Sequence, residues 1–209
     1  MSQLPYKPID QNTWKRAQHC AVFKNCPFPQ YCVTMDLDVT HFYQRVKECN
    51  WSFTFAFQYL TAKCANEIEE FRCRFLNGDA VLYNKIHTSF TYLTQDELFK
   101  VVRVNMQDTM EEYICAASRA VKEQTQYFAG PPENDVFQFS AMPWVAYTHI
   151  SHTFNGNPQN AIPLFDWGKF EEKNGRKRMP FSVQVHHSFV DGIHIGKLAD
   201  SLQKALDEV

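Results

Sequence analysis

The sequence predicts an α/β (α+β) fold, a mixed β-sheet covered by helices, and three observations carry that expectation. Over residues 52–69, Phe53, Phe57, Leu60, Thr61, Cys64 and Ile68 recur at spacings of three and four, the stripe of a helix with one buried face. Asn77-Gly78 lies between the apolar runs 71–76 and 80–86, and an Asn-Gly pair supplies the positive φ angles of a tight hairpin. A strand-like run at 179–187 is followed by an amphipathic segment at 192–206. Strands, a hairpin and helices intermixed in this way describe a mixed sheet with helical cover.

In chain order, residues 14–23 mix polar and apolar side chains, and Pro27 and Pro29 interrupt any helix there. Residues 31–38 alternate as a strand does, and Thr40 is placed to cap a helix reaching Glu48. After the hairpin, 90–93 and 99–104 read as strands. Asp108 reads as the cap of a helix reaching Gln126, with Met110, Tyr113, Ile114 and Ala117 on one face. Residues 129–134 form a loop too short to be an interdomain linker. Residues 136–139, 144–149 and 179–187 read as strands of a central sheet. The closing helix carries Ile195, Leu198, Leu202 and Leu206 on its apolar face.

The whole chain, 1–209, is expected to form a single domain, since 209 residues fit one core and 44% apolar with 21% charged residues is ordinary globular usage. A net charge of −2 provides no field for phosphate backbones, so nucleic acid is not an expected partner. The basic run from Lys173 to Arg178 contains Asn174-Gly175 and reads as a solvated hairpin turn. The N-terminus has no apolar signal region, and no stretch approaches the roughly 18 apolar residues of a membrane helix. A cytoplasmic protein without a membrane partner is therefore expected. Seven cysteines, an odd number without a C-x-x-C pair, argue for reduced thiols over a disulfide framework or a zinc site.

Chemistry concentrates between Pro180 and Gly192. A strand ends in His186 and His187, and Asp191-Gly192 opens the next helix. Strand ends deliver side chains into clefts, and a neutral imidazole there suits proton transfer near pH 7. Two other readings stand beside this one. Asp191 is an ordinary helix N-cap and the histidines are satisfied strand-end residues. In the other, His187, Asp191 and His194 converge on a metal, a reading weakened because a strand points adjacent His186 and His187 to opposite faces.

The run Gln184-Val185-His186-His187-Ser188-Phe189-Val190-Asp191-Gly192-Ile193-His194 resembles the signature of chloramphenicol acetyltransferases, and its core, H-H-x-x-x-D-G, recurs in CoA-dependent acyltransferases. A second segment, Phe139-Ser140-Ala141-Met142-Pro143-Trp144-Val145, is similar to that family's S-A-x-P-W stretch. Trp14-Lys15-Arg16 is a third, shorter match, and the total length fits. The resemblance implies a CoA-dependent acyltransferase fold, no metal, acetyl-CoA as co-substrate and a small-molecule hydroxyl acceptor. It also implies a homotrimer with each active site between two subunits. Carried over by residue, His187 corresponds to the catalytic base, Ser140 to the hydroxyl that steadies the oxyanion, Asp191 to a structural carboxylate and Arg16 to its salt-bridge partner. Trp144, Lys169 and Phe170 correspond to CoA contacts and Phe23 to the acceptor pocket.

The pattern departs at three positions. Ile193 replaces an aromatic residue before His194, Phe23 replaces a tyrosine, and Asp166 stands where a small hydroxyl residue is usual. These changes leave base and oxyanion donor in place and alter the acceptor pocket. Three functions follow: acetylation of chloramphenicol, acylation of a different hydroxyl acceptor, or a catalytically silent trimeric binding protein of the same fold.

Overall fold

The computed structural model describes residues 4–130, 133–153 and 156–209; Met1 to Gln3 and, from the expected 129–134 loop, Pro131 and Pro132 lie outside it. A mixed sheet forms the centre. Its strands are β2 (Gln30–Asp38), β5 (His87–Leu93), β6 (Phe99–Val104), β7 (Val136–Met142), β8 (Leu164–Gly168) and β10 (Arg176–His186), in the order β2-β10-β8-β7-β5-β6. β10 is antiparallel to β2 and β8, whereas β7 runs parallel to β5 and β8. The strand β9 (Glu171–Lys173) returns into β10 through Asn174 and Gly175, both at positive φ, which is the solvated hairpin expected of that basic run. A second, antiparallel sheet of β1 (Tyr6–Pro8), β4 (Asp79–Tyr83) and β3 (Cys73–Leu76) contains the Asn77-Gly78 hairpin, with φ of 52° and 87°.

The period-two alternation of the central strands divides the sheet into two chemically different faces. One carries Phe139, Phe165, Trp167, Phe181 and Val183, all buried. Against it pack α3 (Phe53–Asn66), whose Phe57 lies 5.1 Å from Trp167 and 5.6 Å from Phe181, and α5 (Gly192–Glu208), which buries Ile195, Leu198, Leu202 and Leu206. The remaining helices are α1 (Ala17–Lys24), α2 (Thr40–Glu48) and α4 (Met110–Glu123). The opposite face carries a polar row in register, Ser140, Asp166, Ser182 and Thr34.

Several local expectations are corrected. Residues 144–149 are not a strand: Val145 N–H turns back to Met142 O at 3.3 Å, and Pro143, which has no N–H to offer a ladder, takes the chain out of the sheet. Thr40 does not cap α2; Val39 is the N-cap, and Thr40 donates its hydroxyl to Asp38 Oδ1 at 2.6 Å while accepting from Lys177 N–H. α4 starts at a capping box between Thr109 and Glu112 rather than at Asp108. β10 ends at His186, one residue early: His187 N–H still donates to Pro29 O at 3.0 Å, but Pro29, just ahead of β2, has no N–H to return the bond. β1 and β8 carry no separate signal in the sequence, although β8 is central. Among the described residues no helix is long and apolar enough to cross a membrane, and all seven cysteines are free thiols.

Candidate active site

The end of β10 separates two neighbouring histidines into different environments. His186 is buried against Phe75 and Phe189; its Nε2–H donates to Pro158 O at 2.8 Å and its Nδ1 accepts from Ser188 N–H at 3.1 Å. Burial pushes its pKa down to about 4, so at neutral pH it is an uncharged structural imidazole with both nitrogens engaged. His187 lies in the turn beyond the strand, its side chain 38% exposed. Its ring stacks on Phe23 (centroids 4.1 Å apart, 7° between planes) and meets Tyr31 at 4.7 Å.

The turn from His186 to Val190 brings Asp191 back beneath His187. Asp191 Oδ1 lies 3.1 Å from His187 Nδ1. Arg16, just ahead of α1, grips the same carboxylate with two bonds, Nη1 to Oδ2 at 2.5 Å and Nη2 to Oδ1 at 3.0 Å. That guanidinium holds the Asp191 carboxyl below the usual carboxylate range, and the carboxylate in turn raises Arg16. Facing an ionised carboxylate, Nδ1 of a neutral His187 carries the proton, which leaves the Nε2 lone pair free to accept one. Tyr31 donates to Val190 O at 3.2 Å, and burial pushes its phenol up to about 12, so it supplies packing without charge.

His194 does not converge on this centre. Its Nδ1 accepts the Asp191 backbone N–H at 2.8 Å and its Nε2 faces Glu70 Oε1 at 3.3 Å. Among the described residues no three His, Cys, Asp or Glu side chains are gathered as a metal site.

Ser140 stands elsewhere on the sheet. It is registered with Asp166, which is registered with Ser182, and His187 lies five residues beyond Ser182. At about 3.3 Å per residue and 4.8 Å per strand, Ser140 and His187 are roughly 15–20 Å apart within one chain. Asp166 beside it is fully buried; burial raises its carboxyl, and His152 Nε2 contacts its Oδ2 at 2.8 Å. A cleft of about 620 Å³ opens on this face, lined by Gln138, His152, Asn160, Leu164 and Gln184 among others.

Trp144 is 64% exposed in the turn after β7. Lys169 and Phe170 line a separate cavity of about 330 Å³ with Tyr43, Lys47 and Trp51, and Pro143 borders it beside Trp144. Two lysines and several aromatic rings suit a ligand with phosphates and a flat base. Tyr31, His152, Tyr43, Lys47 and Trp51 are the residues that sequence reasoning missed. Tyr31 and Lys47 sit in ordinary strand and helix patterns, and His152 lies in a segment without periodicity.

The family model described as chloramphenicol acetyltransferase matches residues 4–203. A chloramphenicol acetyltransferase of Klebsiella sp is 29% identical over 207 residues, 97% of this chain and 94% of that protein. One from Streptomyces acrimycini is 30% identical over 95% of this chain and 93% of its own length. A solved chloramphenicol acetyltransferase superposes with a TM-score of 0.88 at 25% identity, covering 96% of this chain and 99% of that one.

Proposed function

This chain belongs to the chloramphenicol acetyltransferase family, and from that premise we propose that it transfers the acetyl group of acetyl-CoA to a hydroxyl of chloramphenicol, with His187 as base. The observation that carries this reading is the His187–Asp191–Arg16 chain of hydrogen bonds, which fixes the ring and leaves Nε2 as the acceptor at a partly exposed surface. His187 Nε2 takes the proton from the acceptor hydroxyl as that oxygen attacks the thioester carbonyl. The tetrahedral oxyanion accepts a hydrogen bond from Ser140, a contact worth about 3 kcal/mol by comparison with other oxyanion donors. Collapse releases the O-acetyl ester and a thiolate, which recovers the proton from His187. No acyl-enzyme is required.

The separation of Ser140 from His187 supports a site shared between subunits, because the two can act on one substrate only when they come from different copies. A homotrimer is the arrangement we assign. Acetyl-CoA fits the cavity of Lys47, Lys169 and Phe170, with Trp144 at its rim and the lysines meeting its phosphates. Phe23 forms one wall of the acceptor pocket as well as the bed of the His187 ring. Residues 1–209 act as one acetyltransferase domain, and seven free thiols suit the reducing cytoplasm.

The test is thiol release from acetyl-CoA by purified protein with chloramphenicol, with mass analysis of the product and sedimentation of the enzyme. Formation of an O-acetyl ester by a trimer is expected. Acetyl-CoA binding without turnover of chloramphenicol would send the reading to another hydroxyl acceptor.

A further inference from the structure

The residue that orients His187 is itself held at its backbone. Asp191 is the N-cap of α5, and its N–H donates to Nδ1 of His194, three residues on, at 2.8 Å. A capping box ordinarily places a glutamate or glutamine at that position, whose side-chain oxygen accepts the N–H. An imidazole fills the role in one tautomer only. Burial lowers the His194 pKa from its ordinary value, so the ring is neutral at pH 7. Since Nδ1 receives a donor, the one proton of the neutral ring sits on Nε2.

That Nε2 stands 3.3 Å from Oε1 of Glu70, with 8% of the His194 side chain and 19% of the Glu70 side chain exposed. Glu70 lies on the short 3₁₀ turn Glu69–Arg72, just ahead of β3. The turn is firmly seated: Phe71 is fully buried and stacks on Phe165 at 6.1 Å, and Arg72 Nη1 donates to Tyr83 O at 2.7 Å. With its proton on Nδ1 instead, His194 would set an N–H against the Asp191 N–H and a lone pair against the Glu70 carboxylate, so both contacts would turn repulsive. Glu70 therefore selects the tautomer that the cap requires. Its charge also reaches the other partner of Asp191, since Arg16, raised first by its bonds to Asp191, is raised further by Glu70.

We propose that Glu70 is a positioning residue for acetyl transfer: through His194 it fixes the Asp191 main chain, and with it the carboxylate that orients the His187 imidazole. The inference rests on the acetyl-transfer reading, in which His187 is the base. A carboxylate outside the His187–Asp191–Arg16 chain thus sets that chain's geometry. Displacement of a catalytic group by about 1 Å costs roughly 10²-fold in rate, so a looser Asp191 is felt at His187 Nε2.

The experiment measures kcat, both KM values and urea midpoints, with acetyl-CoA and chloramphenicol, for Glu70→Ala, Glu70→Gln, His194→Gln and the double variant Glu70→Ala/His194→Gln. Glu70→Ala should lower kcat about tenfold and leave both KM values within about twofold. Glu70→Gln, whose amide oxygen still accepts from Nε2–H, should recover kcat to within about threefold of native. In His194→Gln an amide oxygen accepts the Asp191 N–H with no tautomer to select. In that background the added Glu70→Ala should change kcat by less than about twofold, the non-additivity of residues that act in series. If Glu70→Ala does not fold, Glu70→Met, which fills similar space without an acceptor, supplies the same comparison. A merely structural Glu70 would lower the urea midpoint and leave kcat of the folded protein unchanged. That result would overturn the proposal, as would an equal loss in both backgrounds or no recovery in Glu70→Gln. Native protein that acetylates no hydroxyl acceptor would overturn the acetyl-transfer reading itself, and this proposal with it.

Discussion

Asp191 Oδ1 stands 3.1 Å from His187 Nδ1 while its carboxylate is gripped from the far side by Arg16. One carboxylate thus joins the helix that closes the chain to the residue that precedes its first helix, 175 positions earlier in sequence. Orientation of the imidazole and anchorage of the N-terminal region are the same interaction.

Arg16→Ala should therefore lower both stability and turnover. Loss of the two charged bonds should cost about 2 kcal/mol of unfolding free energy, measured by urea denaturation. A loosened His187 should reduce kcat by roughly 10²-fold. Asp191 has its folded pKa depressed, so its contribution is present above the ordinary carboxylate pKa and is lost as pH falls through the lower, folded value.

His186 provides a second, separate acid sensitivity. Its folded pKa of about 4 lies below the unfolded value of 6.5, so between the two the unfolded chain binds a proton that the native chain does not. Stability should fall as pH drops through that window, by about 2 kcal/mol from pH 7 to pH 5. His186→Gln, which cannot titrate, should show a shallower decline when urea midpoints are compared at the two pH values.

Ser140→Ala should lower kcat by about 10²–10³-fold while leaving the KM for acetyl-CoA nearly unchanged, because the hydroxyl is assigned to the oxyanion of the transition state. Steady-state kinetics would separate this from a binding role. A raised KM with unaltered kcat would place Ser140 in ground-state recognition.

Lys169→Glu and Lys47→Glu should each raise the KM for acetyl-CoA by roughly tenfold or more, since a carboxylate facing the phosphates replaces attraction with repulsion. The effect should diminish with added salt. A KM insensitive to both substitutions would move the CoA site away from this cavity.

Much of the fold was legible because periodicity reports burial. The stripe of α5 and the Asn77-Gly78 hairpin appear where the spacing puts them. By contrast, α3 is buried around its whole circumference from Phe55 to Ala62 instead of along one stripe, because α4 and α5 pack beside it while the sheet lies against it, and Ile68 falls beyond its end. Residues 144–149 misled because alternation without a pairing partner is not a strand, and only the path over Gly168 shows why the chain leaves the sheet after Pro143. Thr109, not Asp108, caps α4 because its hydroxyl reaches the Glu112 N–H. In the candidate site, the short-range turn from His187 to Asp191 could be read from four residues of spacing. The contribution of Arg16 came only from resemblance, and the His152–Asp166 contact is a tertiary accident of a crossing segment that no local pattern encodes.

The most direct test of the account is the rate of thiol release from acetyl-CoA, with chloramphenicol as acceptor, for native protein and His187→Ala. A fall of about 10²–10⁴-fold or more in kcat, in a variant that still folds and binds acetyl-CoA, is the predicted result. A variant that turns over at the native rate would contradict the assignment of His187 as the base.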